Sequence, residues 1–169
     1  MPNWTSCDLK IRSPDKEKEH KELKRFKAFA QTTKDGEVNS LDTNKFIPYP
    51  EKFKKQDEIA AEDPTNHSIK DGYNNGGYEW CLKNWGSKWG ICRAELEEED
   101  FKWGELSYTF ESPWSPPMPV IIKMSEMFPT LTFELRYFEQ GCEFNGILEC
   151  KAGKITNEEQ GKYFGNRGG

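Results

Sequence analysis

The chain has no apolar run long enough to cross a membrane, and its first 25 residues are charged throughout. A spanning helix and a secretory signal are both unexpected. Histidine is nearly missing, with only His20 and His67 present. The five cysteines, Cys7, Cys81, Cys92, Cys142 and Cys150, are scattered and no pair has close ligand spacing. A zinc cage would lack ligands, and an odd number without a leader reads as reduced, buried thiols. No metal or cofactor is expected. A basic stripe is lacking as well. Residues 1–72 hold 14 basic and 14 acidic side chains, whereas residues 73–169 hold 10 and 15, which accounts for the whole net charge of −5. Phosphate binding needs such a stripe, so nucleic acid is a disfavoured partner. Aliphatic residues are few: 34% of the chain is hydrophobic against 31% charged. The core must therefore lean on the 11 Phe, 6 Tyr and 6 Trp, whose large side chains bury the most area each.

What is present is pattern. A length of 169 residues fits one domain. Cys7, Leu9 and Ile11 alternate with Asp8, Lys10 and Arg12, the period of a half-buried strand. Ser13-Pro14-Asp15 opens a helix, expected over Asp15–Gln31, with Leu23, Phe26, Phe29 and Ala30 on one side. His20 has no obvious partner there and reads as a surface or edge residue. A long irregular insertion of about residues 32–76 follows, with Phe46–Pro50 extended and a short helix near Glu51–Ala61. A tryptophan-rich stretch, about residues 78–89, forms a helix from Tyr78 to Trp85 that closes at Gly86.

Two alternating strands come next. Cys92, Ala94 and Leu96 face inward on the first and Leu106, Tyr108 and Phe110 on the second, with the turn at Glu98–Asp100. Ser115 and Pro116 start a second helix, expected over Pro116–Phe128, whose stripe is Val120, Ile121, Met124, Met127 and Phe128. A strand burying Leu131, Phe133, Leu135 and Tyr137 follows. The extra C-terminal strand uses Phe144, Leu148 and Cys150, with Gly146 as a bulge or close-approach point. Residues 156–169 read as a flexible tail on a single domain of residues 1–155. The fold class is therefore α+β, a ferredoxin-like split β-α-β sandwich. An antiparallel sheet carries two helices on one face, with the insertion and one extra strand added.

The open sheet face should present Asp8, Lys10, Arg12, Arg93, Glu95, Ser107, Thr109, Glu111, Thr132, Glu134 and Arg136. Mixed charge without an aromatic suits solvent rather than base stacking. Glu95 and Glu111 are expected to face each other across strands. A cysteine nucleophile would need a histidine base, and only His67 in the insertion is placed to serve. Gly76-Gly77 and Gly168-Gly169 do not lie between a strand and a helix, as a phosphate cradle requires. No catalytic residue emerges.

Four segments carry a likeness: Met1-Pro-Asn-Trp4, Asn84-Trp-Gly-Ser-Lys-Trp89, Phe110-Glu-Ser-Pro-Trp-Ser-Pro-Pro117 and Phe128-Pro-Thr-Leu-Thr-Phe133. In that order they resemble the YubB-like proteins of phages and plasmids, which have a ferredoxin-like domain and no established activity. The resemblance implies an accessory protein of a mobile element in a bacterial cytoplasm, acting without catalysis by binding a host protein. A counter-defence or host-modulating factor is one form of that role. The alternative is a nucleic-acid-associated protein or enzyme with its site between the insertion and the tryptophan helix. Trp85, Trp89 and Trp114 are the expected partner-binding residues, since rigid loops bearing tryptophan lose little entropy on docking.

Overall fold

The computed structural model describes residues 2–14, 19–66 and 68–162. Strand β1, Trp4–Arg12, alternates as expected, with Thr5, Cys7, Leu9 and Ile11 buried on one face. Helix α1 spans Lys21–Ala30 and buries Leu23, Phe26 and Ala30. It starts later than expected, and residues 15–18 of the expected helix lie outside the described residues. His20 stands before α1 in a left-handed conformation (φ 46°). It is buried rather than on the surface, and its Nδ1 meets the Ser13 hydroxyl.

The insertion is more regular than its composition suggests. Strands β2, Thr32–Lys34, and β3, Glu37–Asn39, form a hairpin. Asp35 and Gly36 turn it, both with positive φ, the mirror-image turn that fits strand twist. Helix α2, Thr43–Phe46, is capped by the Asp42 carboxylate, which accepts from Asn44 N (2.9 Å). Helix α3, Glu51–Glu62, starts at Pro50. After a wide turn at Tyr73–Gly77, helix α4 runs Tyr78–Trp85 and ends at Gly86 in the left-handed conformation, as expected.

Strand β4, Cys92–Asp100, carries two bulges and reaches past the expected turn, which lies instead at Phe101–Gly104. The first bulge sets Glu95 opposite Thr109 and Cys92 opposite Glu111, so the two glutamates do not face each other as expected. Strand β5 is Glu105–Pro113 and helix α5 is Met118–Met127. Ser115 and Pro116 do not open α5. Each proline disfavours helical backbone in the residue before it, so the paired Pro116-Pro117 delays the helix to Met118. The Ser115 hydroxyl instead donates to the Gly86 carbonyl (2.7 Å), tying this corner to the end of α4.

Strands β6, Thr132–Glu139, β7, Phe144–Lys151, and β8, Lys154–Lys162, complete the sheet. Strand β8 corrects the expected flexible tail as far as Lys162, and residues 163–169 lie outside the described residues. Ala152 and Gly153, both with positive φ, reverse the chain in two residues. At Gly146 the backbone is in close approach: a Cβ there would lie 2.2 Å from Tyr137 Oη.

The sheet order is β4-β5-β1-β6-β7-β8, and every neighbouring pair is antiparallel. The first four strands of that order make the split β-α-β sheet, and β7 and β8 extend it beyond β6. One face carries the helices. Between them and the sheet lies Phe26, fully buried, with its ring 5.8 Å from Phe46, 6.3 Å from Tyr108, 5.1 Å from Phe128 and 5.6 Å from Phe133. No helix among the described residues is long and apolar enough to cross a membrane.

Phe26→Ala should destabilise the protein by about 3–5 kcal/mol in chemical denaturation, because the rings around it cannot close the cavity. Trp103→Ala, in the exposed turn between β4 and β5, should leave the midpoint unchanged.

Candidate functional site

The three tryptophans expected to bind a partner part company in the structure. Trp85 is only 7% exposed. Its Nε1 donates to the Ile47 carbonyl (2.8 Å), and its ring meets Trp80 edge-on at 5.4 Å. Its position at the end of α4 turns it inward, so it packs on the insertion with only one edge at the cleft described below. Trp89 is 40% exposed and Trp114 48% exposed. Trp89 stands on the loop after α4, 6.0 Å from the ring of Trp4, with the Lys88 ammonium 4.5 Å above it. Trp114 directly follows β5. Trp103 is 74% exposed in the β4–β5 turn, before Gly104, and no proline corner like that at Trp114 marks it in the sequence.

Trp114 is held in an unusual way. Its φ is +70°, a conformation that costs an L-residue roughly 1–2 kcal/mol. Pro113 precedes it, and the prolines at 116 and 117 follow closely. Its amide donates to the Asn3 carbonyl (2.9 Å). Beside it is an apolar cavity of about 460 Å³, walled by Trp114, Pro116, Met118, Pro119, Tyr137 and Phe144. Tyr137 is buried and its Oη has no hydrogen bond. Burial pushes its phenol pKa upward.

A second cleft, of about 220 Å³, lies between the insertion and α4. Tyr49, Tyr73, Trp85 and Trp89 supply aromatic walls, and Lys54, Asp57 and Lys88 supply charge. Lys54 and Asp57 share one face of α3 because they are three residues apart. The Asp57 carboxylate accepts from Tyr73 N (2.9 Å), and the Asn44 side chain accepts from Tyr49 N (2.9 Å). Tyr49 lies over Gly77, where a Cβ would meet its Oη at 2.1 Å, so only glycine lets the turn close on this ring. Burial, then the charge of Asp57, pushes the Tyr49 phenol up to about 12. The same two causes push the Cys81 thiol up to about 11, which keeps it protonated at neutral pH and unsuited to nucleophilic attack. His67, the expected base for a cysteine, lies outside the described residues. Among the described residues no group of three or more His, Cys, Asp or Glu side chains is placed to hold a metal ion.

The open sheet face differs from expectation at one end. Trp4, with the Arg93 guanidinium 4.5 Å above its ring, and Phe138, which pairs with Ser6, both project from that side. The centre of the face is an ionic ladder. Glu105 accepts from Lys10 (3.2 Å) and Arg12 (2.8 Å), and Glu134 accepts from Arg12 (3.0 Å) and Arg136 (2.9 Å). Partial burial pushes both carboxyls up, but hydrogen bonds from Arg12, Lys10 and Arg136 outweigh it and hold both below the usual range. Glu134, expected in solvent, is buried beneath its arginines.

Topology and surface together define a ferredoxin-like α+β protein with an enlarged sheet and two aromatic hollows. Residues 91–164 match the family model described as the ferredoxin-like domain in Api92-like protein. The chain is also similar to the crystal structure of a protein api92 from Yersinia pseudotuberculosis, with a TM-score of 0.53 and 10% sequence identity. That likeness covers 98% of this chain and 99% of the other and concerns the fold. No curated protein matches the chain.

The ladder makes a pH-dependent contribution. A carboxyl held low in the fold stabilises it fully above the unfolded value, about 4.3 for glutamate, and loses that contribution as pH falls through the lower folded value. The melting temperature should therefore fall below about pH 4.3. In Arg12→Met, which removes a bond to each glutamate, that acid decline should be shallower. Equal slopes in the two proteins would remove the ladder as its cause.

Proposed function

We propose that this protein acts without catalysis, as an interaction protein that binds a host protein through the Trp114 corner. The observation that carries this reading is the ring itself, half exposed on a corner fixed by prolines and two hydrogen bonds, beside an apolar cavity. Aromatic anchors next to pockets dominate the energy of protein interfaces, and a pre-ordered loop loses little entropy on docking. Strain retained at Trp114 where glycine would relieve it also supports a use for the ring. Trp89 lines the other hollow and is not part of this corner. The YubB-like resemblance supports an origin in a phage or plasmid and a place in the bacterial cytoplasm, where a counter-defence or host-modulating role fits a binding protein. The net charge of −5 supports a basic partner over nucleic acid.

Trp114→Gly separates binding from folding. Strain relief and the greater backbone freedom of glycine each amount to about 1 kcal/mol and roughly cancel, so only the burial of the half-exposed ring, about 1–2 kcal/mol, should be lost and the protein should stay folded. A partner captured by the natural protein should be lost by this variant, while Trp85→Ala should lower stability first. Equal capture by Trp114→Gly would refute the corner as the docking site.

A further inference from the structure

From the cleft between the insertion and α4, we infer a second binding site, for a nucleotide whose planar base lies among the aromatic walls and whose phosphate meets the lysines. Three observations lead there. First, the walls are aromatic: Tyr49, Tyr73, Trp85 and Trp89 line the hollow. Such faces hold planar heteroaromatic groups by stacking, with little demand on sequence or substituent. Second, the charge has a sign. Two lysines, Lys54 and Lys88, stand against one acid, Asp57, so the lining is net +1 in a chain whose total is −5. A cationic ligand would be repelled, and the Lys88 ammonium already covers the Trp89 ring at 4.5 Å. An anion carrying a flat ring satisfies both walls and charges. Third, polar groups are available at the aromatic end. Tyr49 Oη lies beside the Asp57 carboxylate, with which it interacts, and both residues line the hollow. A base edge presents the donors and acceptors that such a pair can use.

Size sets the limit. About 220 Å³ accommodates one base with part of its sugar, leaving the phosphate at the rim rather than a strand threaded through. The acidic character of the chain argues in the same direction, since tracking a phosphate backbone needs a continuous basic groove. The site does not depend on the Trp114 corner and makes no use of Cys81 as a nucleophile.

Isothermal titration of the full chain with the common nucleoside 5′-monophosphates tests this. At least one should bind saturably. Lys54→Glu and Lys88→Glu, on partly exposed side chains, should keep the melting temperature and weaken binding roughly tenfold or more, the worth of a charged hydrogen bond. Trp89→Ala should weaken it by a similar factor through lost stacking. Trp114→Gly should bind the nucleotide as the natural protein does, which keeps this test separate from that of the protein partner. Inorganic phosphate and the corresponding nucleosides should each bind more weakly than the monophosphate. A short unphosphorylated oligothymidylate should bind no more tightly than thymidine monophosphate. The inference is overturned if no monophosphate saturates, if the lysine reversals leave affinity unchanged, or if phosphate alone binds as well. Tighter binding of the oligomer would overturn it too, in favour of a strand binder.

Discussion

The burial of Phe26 is the constraint on which the rest of the structure depends. A chain this poor in aliphatic residues cannot fill the space between sheet and helices with leucine and isoleucine alone. It uses rings that meet mostly edge to face, with Phe26 and Phe46 stacked, and Phe26 is where they converge. From α1 it touches Phe46 of α2, Tyr108 of β5, Phe133 of β6 and Phe128 just after α5. Each such pair adds about 0.5–1.5 kcal/mol to the area it buries. The insertion is thereby part of the core, through Leu41 and Phe46, rather than an ornament on it. Its firm seating is what allows α3 to stand against α4 and leave a shaped cleft between them.

The aromatic core and the charged open face divide the labour. On the helix side, apolar contact decides packing. On the other side, Lys10, Arg12, Glu105, Glu134 and Arg136 interlock across three strands, β5, β1 and β6, so a solvated surface still favours one register. Total charge is a poor guide to such a surface. The value of −5 hides a cleft with a local excess of lysine and a ring on β1 covered by Arg93.

Strand alternation was legible because one face of each central strand is buried and the other wet. Cys7 to Ile11, Leu106 to Phe110 and Leu131 to Tyr137 all face as their period says. The end of α4 was legible from Gly86, and α3 nearly so. Other features were present in the sequence but weak. Asp35-Gly36 is a strong hairpin signal obscured by the polar residues around it. Ala152-Gly153 makes the same kind of turn with an unusual first residue, so β8 passes for a tail. The bulges of β4 left no mark in its alternation. Trp85 could not be told from Trp89 by spacing, since what buries it is the carbonyl of Ile47 and the rings of the insertion. Neither hollow was legible as a shape, because each is assembled from segments far apart in the chain.

The position of β1 has a consequence for how the protein is made. It is made before β5 and β6, the two strands between which it lies, and the last residue of β6 is Glu139. At about 5–20 residues per second the wait is on the order of ten seconds. Throughout it Cys7, Leu9 and Ile11 have no sheet to enter, and pairings this remote in sequence also close slowly. Asp8, Lys10 and Arg12, set between those apolar residues, keep the nascent segment from joining another chain before its own partners exist.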